Sequence, residues 1–260
     1  MNAFHDLHHA ATPLVLPNAW DHASGAALAA AGFAAIGTTS LGVAAAHGLA
    51  DGEGRTREPT IALARSLASL PCLLTVDLEA GFSDDPAEVA GLAATVAEAG
   101  AAGINLEDGR DNRALADPGR QSELIAAVKQ RAPELFVNAR TDTYWLGIDA
   151  RPGPTLARLE RYVAAGADGV FVPGVLSPGD LRAVAAGVPA PLNVLAVPGL
   201  PPLADLAALG VRRVSTGSLL FRAALHAAVE VAEAVRDGGQ LPREVPGYAE
   251  IQRLSASPGS

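Results

Sequence analysis

The chain is short of several residue types on which common chemistries depend. Its 260 residues include one cysteine, Cys72, so no disulfide can close within the chain. Lysine also occurs once, at Lys129 in ELIAAVKQRAPE, which reads as the exposed end of a helix. A Schiff-base enzyme needs a desolvated lysine, so that mechanism is disfavoured. Basic excess is missing too: the net charge is −9 and the pI is near 5.1. Neither nucleic acid nor an anionic membrane attracts an acidic chain. The apolar runs are alanine-rich and broken by glycine or polar residues, so no membrane span is expected. The start, MNAFHDLHHA, lacks the basic-then-apolar pattern of a secretory leader. These absences together predict a cytoplasmic protein.

Apolar content, by contrast, is ample: 49% of residues are hydrophobic, enough for a large core. Short β-branched or apolar runs alternate with alanine-rich helical segments along the chain. The strands read as LVLPNA (14–19), AAIGTTS (34–40), LLTVDLE (73–79), GINLEDG (103–109), FVNARTD (136–142), GVFVPG (169–174), LNVLAVPG (192–199) and VRRVSTGS (211–218). Several helices between them end in AG or LG, a glycine stop before the next strand. Strictly alternating strands and helices imply parallel strands and right-handed crossovers. Eight such units predict an α/β fold, a TIM-type (β/α)₈ barrel. It would form one domain over residues 1–260, with the barrel over about 12–240 and a helical extension over about 241–260. An open doubly wound sheet is the rival, but no GxGxxG follows the first strand. The extension would pack on a neighbouring subunit or cover its own barrel.

Barrels of this kind place their chemistry at the C-terminal ends of the strands, and here those ends are polar. Asp77 and Glu79 end the third strand, Asn105, Glu107 and Asp108 the fourth, and Asn138, Arg140 and Asp142 the fifth. Asn193 lies on the seventh, and Ser215, Thr216 and Ser218 on the eighth. Residues two apart share a strand face, so Asp77 with Glu79, Asn105 with Glu107, and Asn138 with Arg140 each point one way. Buried carboxylates repel one another unless something positive joins them. Asp77, Glu79 and Glu107, with Arg140 alone nearby, leave an excess of negative charge that Mg²⁺, a ligand of oxygens, would resolve. The alternative is helix capping or surface pairing, which is the reading for Asp84 and Asp85 before PAEVA. Arg140 then reads as the fork for a substrate's acid group, or as a structural partner of Glu107.

Other residues divide between function and packing. His5, His8 and His9 have metal-like spacing, but read as solvated. His47, in the loop after the second strand, is a candidate acid or base or an ordinary loop histidine. Trp20, Tyr144 and Trp145 would wall a pocket or pack. STGS (215–218) would cradle an anion or cap a helix. Cys72 reads as a small buried apolar residue at the opposite end of the barrel.

Four motifs in order carry a resemblance running from about residue 12 to about 240. LPNAWDHASGAALAAAGFAAIGTTS, VDLEAGF, GINLEDG and VNARTD resemble the isocitrate lyase and phosphoenolpyruvate mutase superfamily. The resemblance implies that Asp77 ligates Mg²⁺ directly, with Mn²⁺ as a possible substitute, and that Glu79 and Glu107 hold it mostly through its waters. It implies a further acid near the metal at Asp51, and a substrate acid group on Arg140. Backbone amides at Ser40 and Leu41 would contact the oxyanion side of an α-oxo acid or its enolate, and Asn138 and Asn193 would line the substrate. The implied activity is lyase-type cleavage of a C–C bond, or decarboxylation, in a small α-oxo or 2-hydroxy carboxylate. Phosphonopyruvate hydrolysis or mutation, and metal and oxo-acid binding without catalysis, are the other readings. A homotetramer with exchanged C-terminal helices is implied as well. The family's lyases carry a cysteine in the loop after the fourth strand, and its mutases a lysine and an asparagine. Here that loop is EDGRDNRALADPGR, with neither cysteine nor lysine, and Asn112 is the candidate asparagine.

Overall fold

The computed structural model describes residues 3–255. Helix α1 (Ala3–Leu7) precedes a first barrel strand split into β1 (Leu14–Leu16) and β2 (Asn18–Ala19). There follow α2 (His22–Ala30), β3 (Ala35–Thr38), α3 (Ser40–Ala46), α4 (Arg57–Leu67), β4 (Leu73–Asp77), α5 (Pro86–Glu98) and β5 (Gly103–Glu107). A small ribbon, β6 (Gly109–Arg110) with β7 (Ala114–Leu115), leads to α6 (Pro118–Arg131) and β8 (Phe136–Arg140). The chain continues through α7 (Thr143–Leu146), α8 (Pro152–Ala164), β9 (Gly169–Val172), α9 (Pro178–Gly187), β10 (Leu192–Leu195), α10 (Leu203–Leu209) and β11 (Val211–Ser215). It ends in α11 (Leu219–Asp237) and α12 (Tyr248–Ser255).

The main sheet runs β1-β11-β10-β9-β8-β5-β4-β3-β2, all parallel. Its two ends are halves of one strand, so the sheet closes into eight staves: the TIM-type barrel that the strand count predicts. Pro17 makes the split, since it has no N–H to give the ladder. Its carbonyl still accepts from the Gly37 amide at 2.8 Å. Asn18 buckles the seam: its Nδ2 donates to the Thr38 carbonyl at 2.7 Å, and its Oδ1 accepts from the Gly217 amide at 2.8 Å. Thr216 Oγ1 accepts from the Asn18 amide at 2.9 Å. STGS is therefore engaged in closing the barrel, and Ser218 caps α11 without a side-chain bond.

Helix starts follow simple rules. Asp85, Asp117 and Ser177 each accept from amides of the first turn, with proline directly behind them, a pre-organised start. Asp84, expected to share the capping of α5, does not; its carbonyl accepts from Arg120 Nη2 at 2.5 Å. The main core lies between the staves and the helices, and Cys72, expected to be buried, is half-buried just before β4 and packs against the edge of that core.

Helix α1 plugs the closed end of the barrel. Phe4, fully buried, joins Leu16, Ala35 and Phe136 in a separate cluster. Gly103 leaves the room: a Cβ there would sit 2.8 Å from Phe4 Cε1. His8, expected to be solvated in this N-terminal segment, is buried. Phe4 and His8 are four apart, so one helical face carries both inward, and the His8 ring stacks on Phe136 with centroids 4.3 Å apart. Its Nδ1 donates to the Phe4 carbonyl at 2.7 Å. Burial pushes its pKa down to about 3, so the ring is neutral.

At the other terminus, α11 buries Phe221 alone, edge-on to Trp20 with centroids 5.4 Å apart, and α12 returns to lie beside α2. Among the described residues no helix is long and apolar enough to cross a membrane. Truncating the plug, Phe4→Ala, should cost about 3 kcal/mol in urea unfolding; a loss below about 1 kcal/mol would refute the role given to α1.

Candidate active site

Strand register assembles the site at the C-terminal mouth. Asp77 on β4 pairs with Asn105 on β5, which pairs with Asn138 on β8. One layer up, Glu107 pairs with Arg140, and Arg140 with Phe171. The guanidinium carbon of Arg140 stands 5.7 Å from the Phe171 ring centre. Its Nε and Nη2 donate to the two oxygens of Asp142, at 2.6 and 3.2 Å. Nη1 lies 2.7 Å from Glu107 Oε2. Three of its five N–H groups are thus committed, and one on each terminal nitrogen stays available.

Glu79 arrives differently from the expectation. The strand stops at Asp77, and Glu79 lies beyond it with φ of 50°, so the shared-face argument does not place it. A turn delivers it instead, through Glu79, Gly81 (φ 94°) and Phe82 (φ 58°), all left-handed. Non-glycine residues there are strained, and such strain gathers at functional sites. The Glu79 amide turns back to Asp77 Oδ1 at 3.3 Å. Its side chain is buried and accepts a hydrogen bond from the Thr56 hydroxyl.

The electrostatics follow from burial first and from neighbouring charges second. Burial pushes Asp77 above the usual carboxylate range, and Asp51 adds to it, while Arg140 and the Ser40 and Glu79 amides oppose. Glu107 is held well above its ordinary value by burial, with Arg140 against it and Asp142, Asp77 and Glu79 adding. Asp142 and Asp51 are raised by burial as well. Glu79 is pushed up to about 7, chiefly by burial, with the Thr56 hydroxyl opposing and Asp77 and Asp51 adding. Burial would weaken the Arg140 charge, but Glu107, Asp142 and Asp77 hold it firmly protonated. Five acids share one mouth with one largely buried arginine, and Asp51 Oδ1 is buried without a hydrogen-bond partner.

Of the residues singled out in the sequence, the structure brings Asp77, Glu79, Glu107, Asp51 and Arg140 into one charged group. Ser40 opens α3 and supports both Asp77 and Asp51, and Leu41 follows it in the first turn. Asn138 and Asn193 form the floor: Asn138 Nδ2 donates to Asn105 at 2.9 Å, and Asn193 Nδ2 to Ser215 Oγ at 3.0 Å, both buried. His47 stands exposed at the end of α3, its Nδ1 donating to the Val43 carbonyl at 2.9 Å. Thr56, Asp142 and Asp108 had no assigned role in the sequence. Asp108, fully buried, accepts from the Asp142 amide, Thr141, Tyr162 and Arg158, and so fixes the loop that grips Arg140. Asp142 follows Arg140 by two residues, a signal available in the sequence; the Asp108 network spans up to 54 positions and had none.

Beside the acids a cavity of about 190 Å³ is lined by Glu79, Glu107, Gly52 and residues of the β6–β7 ribbon. That segment, read as a plain loop, is a hairpin turned by Asp111 and Asn112, both with positive φ, a type Asp and Asn tolerate. Asn112 faces Gly52, whose Cβ would fall 2.9 Å from Nδ2.

The acid-ringed mouth, with an arginine at the fifth stave, sits on a closed parallel α/β barrel. The chain belongs to the phosphoenolpyruvate phosphomutase family, matching it over residues 4–236, within the phosphoenolpyruvate mutase/isocitrate lyase superfamily of lyases and mutases. It is 53% identical over 250 residues to an uncharacterized protein of Mycobacterium tuberculosis, covering 96% of this chain and 95% of that one. To the 2-methylisocitrate lyase of Bacillus subtilis it is 31% identical over 201 residues, 73% of this chain and 64% of the relative. A crystal structure described as a lyase/mutase from Burkholderia cenocepacia superposes with a TM-score of 0.89 at 37% identity, covering 98% and 95% of the two chains. A phosphonopyruvate hydrolase complexed with oxalate and Mg²⁺ superposes with a TM-score of 0.85 at 25% identity, covering 97% and 93%.

The raised value of Glu79 has a consequence for stability. Its folded value, about 7, lies above its ordinary 4.5, so the folded chain holds that proton more tightly. The contribution is complete below pH 4.5 and is lost as pH rises to about 7. Without added divalent cation, the chain should lose up to about 3 kcal/mol across that window, less what solvent screening removes. Glu79→Gln should flatten this limb of the thermal-stability profile; an unchanged limb would contradict the assignment.

Proposed function

We propose that the chain is a Mg²⁺-dependent enzyme, with Mn²⁺ able to substitute, that cleaves a C–C bond in, or decarboxylates, a small α-oxo or 2-hydroxy carboxylate. The observation that carries this reading is the charge excess of Asp51, Asp77, Glu79, Glu107 and Asp142 around Arg140. All the donors are carboxylate oxygens, and Asp51 Oδ1 has no partner, a donor set suited to a hard divalent cation. Asp77 and Asp51 would hold it, with Glu79 and Glu107 supporting through water. Among the described residues no three such side chains converge on one point, so water would complete the coordination of a Mg²⁺ held there. Bound there, the cation would supply positive charge against the negative charge that grows on a substrate oxygen.

The chain's own groups do the rest. Arg140, immobilised by Asp142, turns its two uncommitted N–H groups to the substrate carboxylate. The Leu41 amide, in the first turn of α3, is a donor for the oxyanion side, while the Ser40 amide is spent on Asp77. With Oε1 accepting from Thr56, Glu79 leaves Oε2 as the atom to take or give a proton. Relatives named 2-methylisocitrate lyase, and a structural neighbour holding oxalate and Mg²⁺, support the same class of substrate. Turnover of a panel of oxo acids should vanish with EDTA and return with Mg²⁺. Asp77→Asn should lower kcat/KM at least about 100-fold. Activity indifferent to chelator sinks the proposal, and phosphate release from phosphonopyruvate would move it to P–C chemistry.

The C-terminal helix suggests the partner. Leu225 and Val229, 53% and 56% exposed, sit four apart on α11, and Val235 and Tyr248 add further apolar surface. A second copy of the chain would cover this face, the tetramer of the resemblance being one such assembly. Light scattering should give a multiple of the 26.3 kDa chain mass, falling to a single chain for Leu225→Glu with Val229→Glu. A monomeric parent chain would end this reading.

A further inference from the structure

Arg213 is the largest fully buried side chain in the described residues, and neither the fold nor the proposed chemistry uses it. It enters the barrel from β11, where its backbone pairs with Leu14 and Asn193. The side chain crosses the lumen: Nη2 reaches Asn105 Oδ1 on β5 at 3.4 Å, and Nε donates to Ser215 Oγ at 3.1 Å. Asn105 is the register neighbour of Asp77, so the guanidinium lies directly beneath the acid mouth. No carboxylate of the described residues forms an ion pair with it, and its partners are a neutral amide and a hydroxyl. Nη1 has no partner, nor has Thr75 Oγ1, one step below Asp77 on the same strand face.

A buried arginine kept for stability is paired and fully hydrogen-bonded, because an unpaired charge and an orphaned donor both cost free energy. Arg213 has neither satisfaction. What it does supply is a fixed positive charge in a low-dielectric lumen, where fields reach further than in water. Asp77 is the acid whose charge bears on it, against the effect of burial.

We propose that Arg213 is a positioning cation beneath the site, which weakens divalent-cation binding at Asp77 and strengthens binding of the anionic ligand above it. This rests on the metal and oxo-acid reading given above. It sharpens that reading, because a mouth with five acids would otherwise hold a cation too well and an anion too poorly. Charge requires the two affinities to move in opposite directions, whereas damage to the floor of the site weakens both.

The test compares Arg213→Gln, which keeps hydrogen-bonding capacity without charge, with Arg213→Lys, which keeps charge. Titration calorimetry at about pH 8, below the Arg213 value of about 9, would measure Mn²⁺ alone and then oxalate in saturating Mn²⁺. Arg213→Gln should bind Mn²⁺ about tenfold more tightly and oxalate about tenfold more weakly. Arg213→Lys should stay within about threefold of the parent chain for both. With the parent binding both ligands, equal shifts of one sign, or none, overturn the role of Arg213 and leave the metal site standing. If Arg213→Gln fails to fold, the lysine variant decides: loss of affinity for both ligands overturns the proposal. A parent chain that binds no Mn²⁺ overturns the metal reading and this one together.

Discussion

The site depends on one constraint: a guanidinium must stay fixed and charged among acids that burial pushes toward neutrality. Arg140 is clamped from two sides, by both oxygens of Asp142 and by Glu107 at 2.7 Å. Asp142 is in turn held by Asp108, a carboxylate with no exposure at all, whose oxygens take bonds from Thr141, the Asp142 amide, Arg158 and Tyr162. A buried carboxylate with that many donors is satisfied, and so it can serve as a rigid anchor instead of a liability. The rigidity passes from α8, which carries Arg158 and Tyr162, through Asp108 to the arginine at the mouth. Barrel architecture makes this possible because adjacent staves put their ends within one hydrogen bond of each other.

Much of this was legible because the relevant signals are local. Alternating strands and alanine-rich helices, glycine stops and Asp-Pro or Ser-Pro helix starts all lie within a few residues of what they specify. Asp77, Asn105, Glu107, Asn138 and Arg140 sit within strands, where a period of two and apolar neighbours fix which way they face. Glu79 was identified for the wrong reason. Its place comes from a left-handed backbone past the end of β4, and no strand periodicity can report that. Thr56 meets Glu79 through the fold of a loop 23 residues away. His8 looked like part of a solvated histidine cluster because its aromatic partner, Phe136, is remote in sequence. Arg213 was hidden by its neighbour: in VRRVS two arginines lie side by side, and only the pleat shows that one of them points into the lumen.

The scaffold and the loops contribute different things. Charge at the mouth is set by strand ends and by the turn after β4, all of them tied to the sheet or to buried side chains. The shape of the adjoining cavity is set by the β6–β7 hairpin, in the segment where relatives of this fold were expected to carry a cysteine or a lysine. Here the hairpin is held by Arg110, whose Nη1 donates to the Glu107 and Gly109 carbonyls at 3.1 and 2.9 Å and whose Nη2 reaches Gln121. That arginine is therefore partly occupied in keeping its own loop in place. Around it the cavity wall carries Glu53, Asp84 and Asp111. Of these, Glu53 pairs with Arg55 at 2.9 Å, and Asp84 lies 3.9 Å from Arg110 Nε. The loops thus obey the same physics as the mouth, since like charges brought together in a partly desolvated space are costly and each needs a partner.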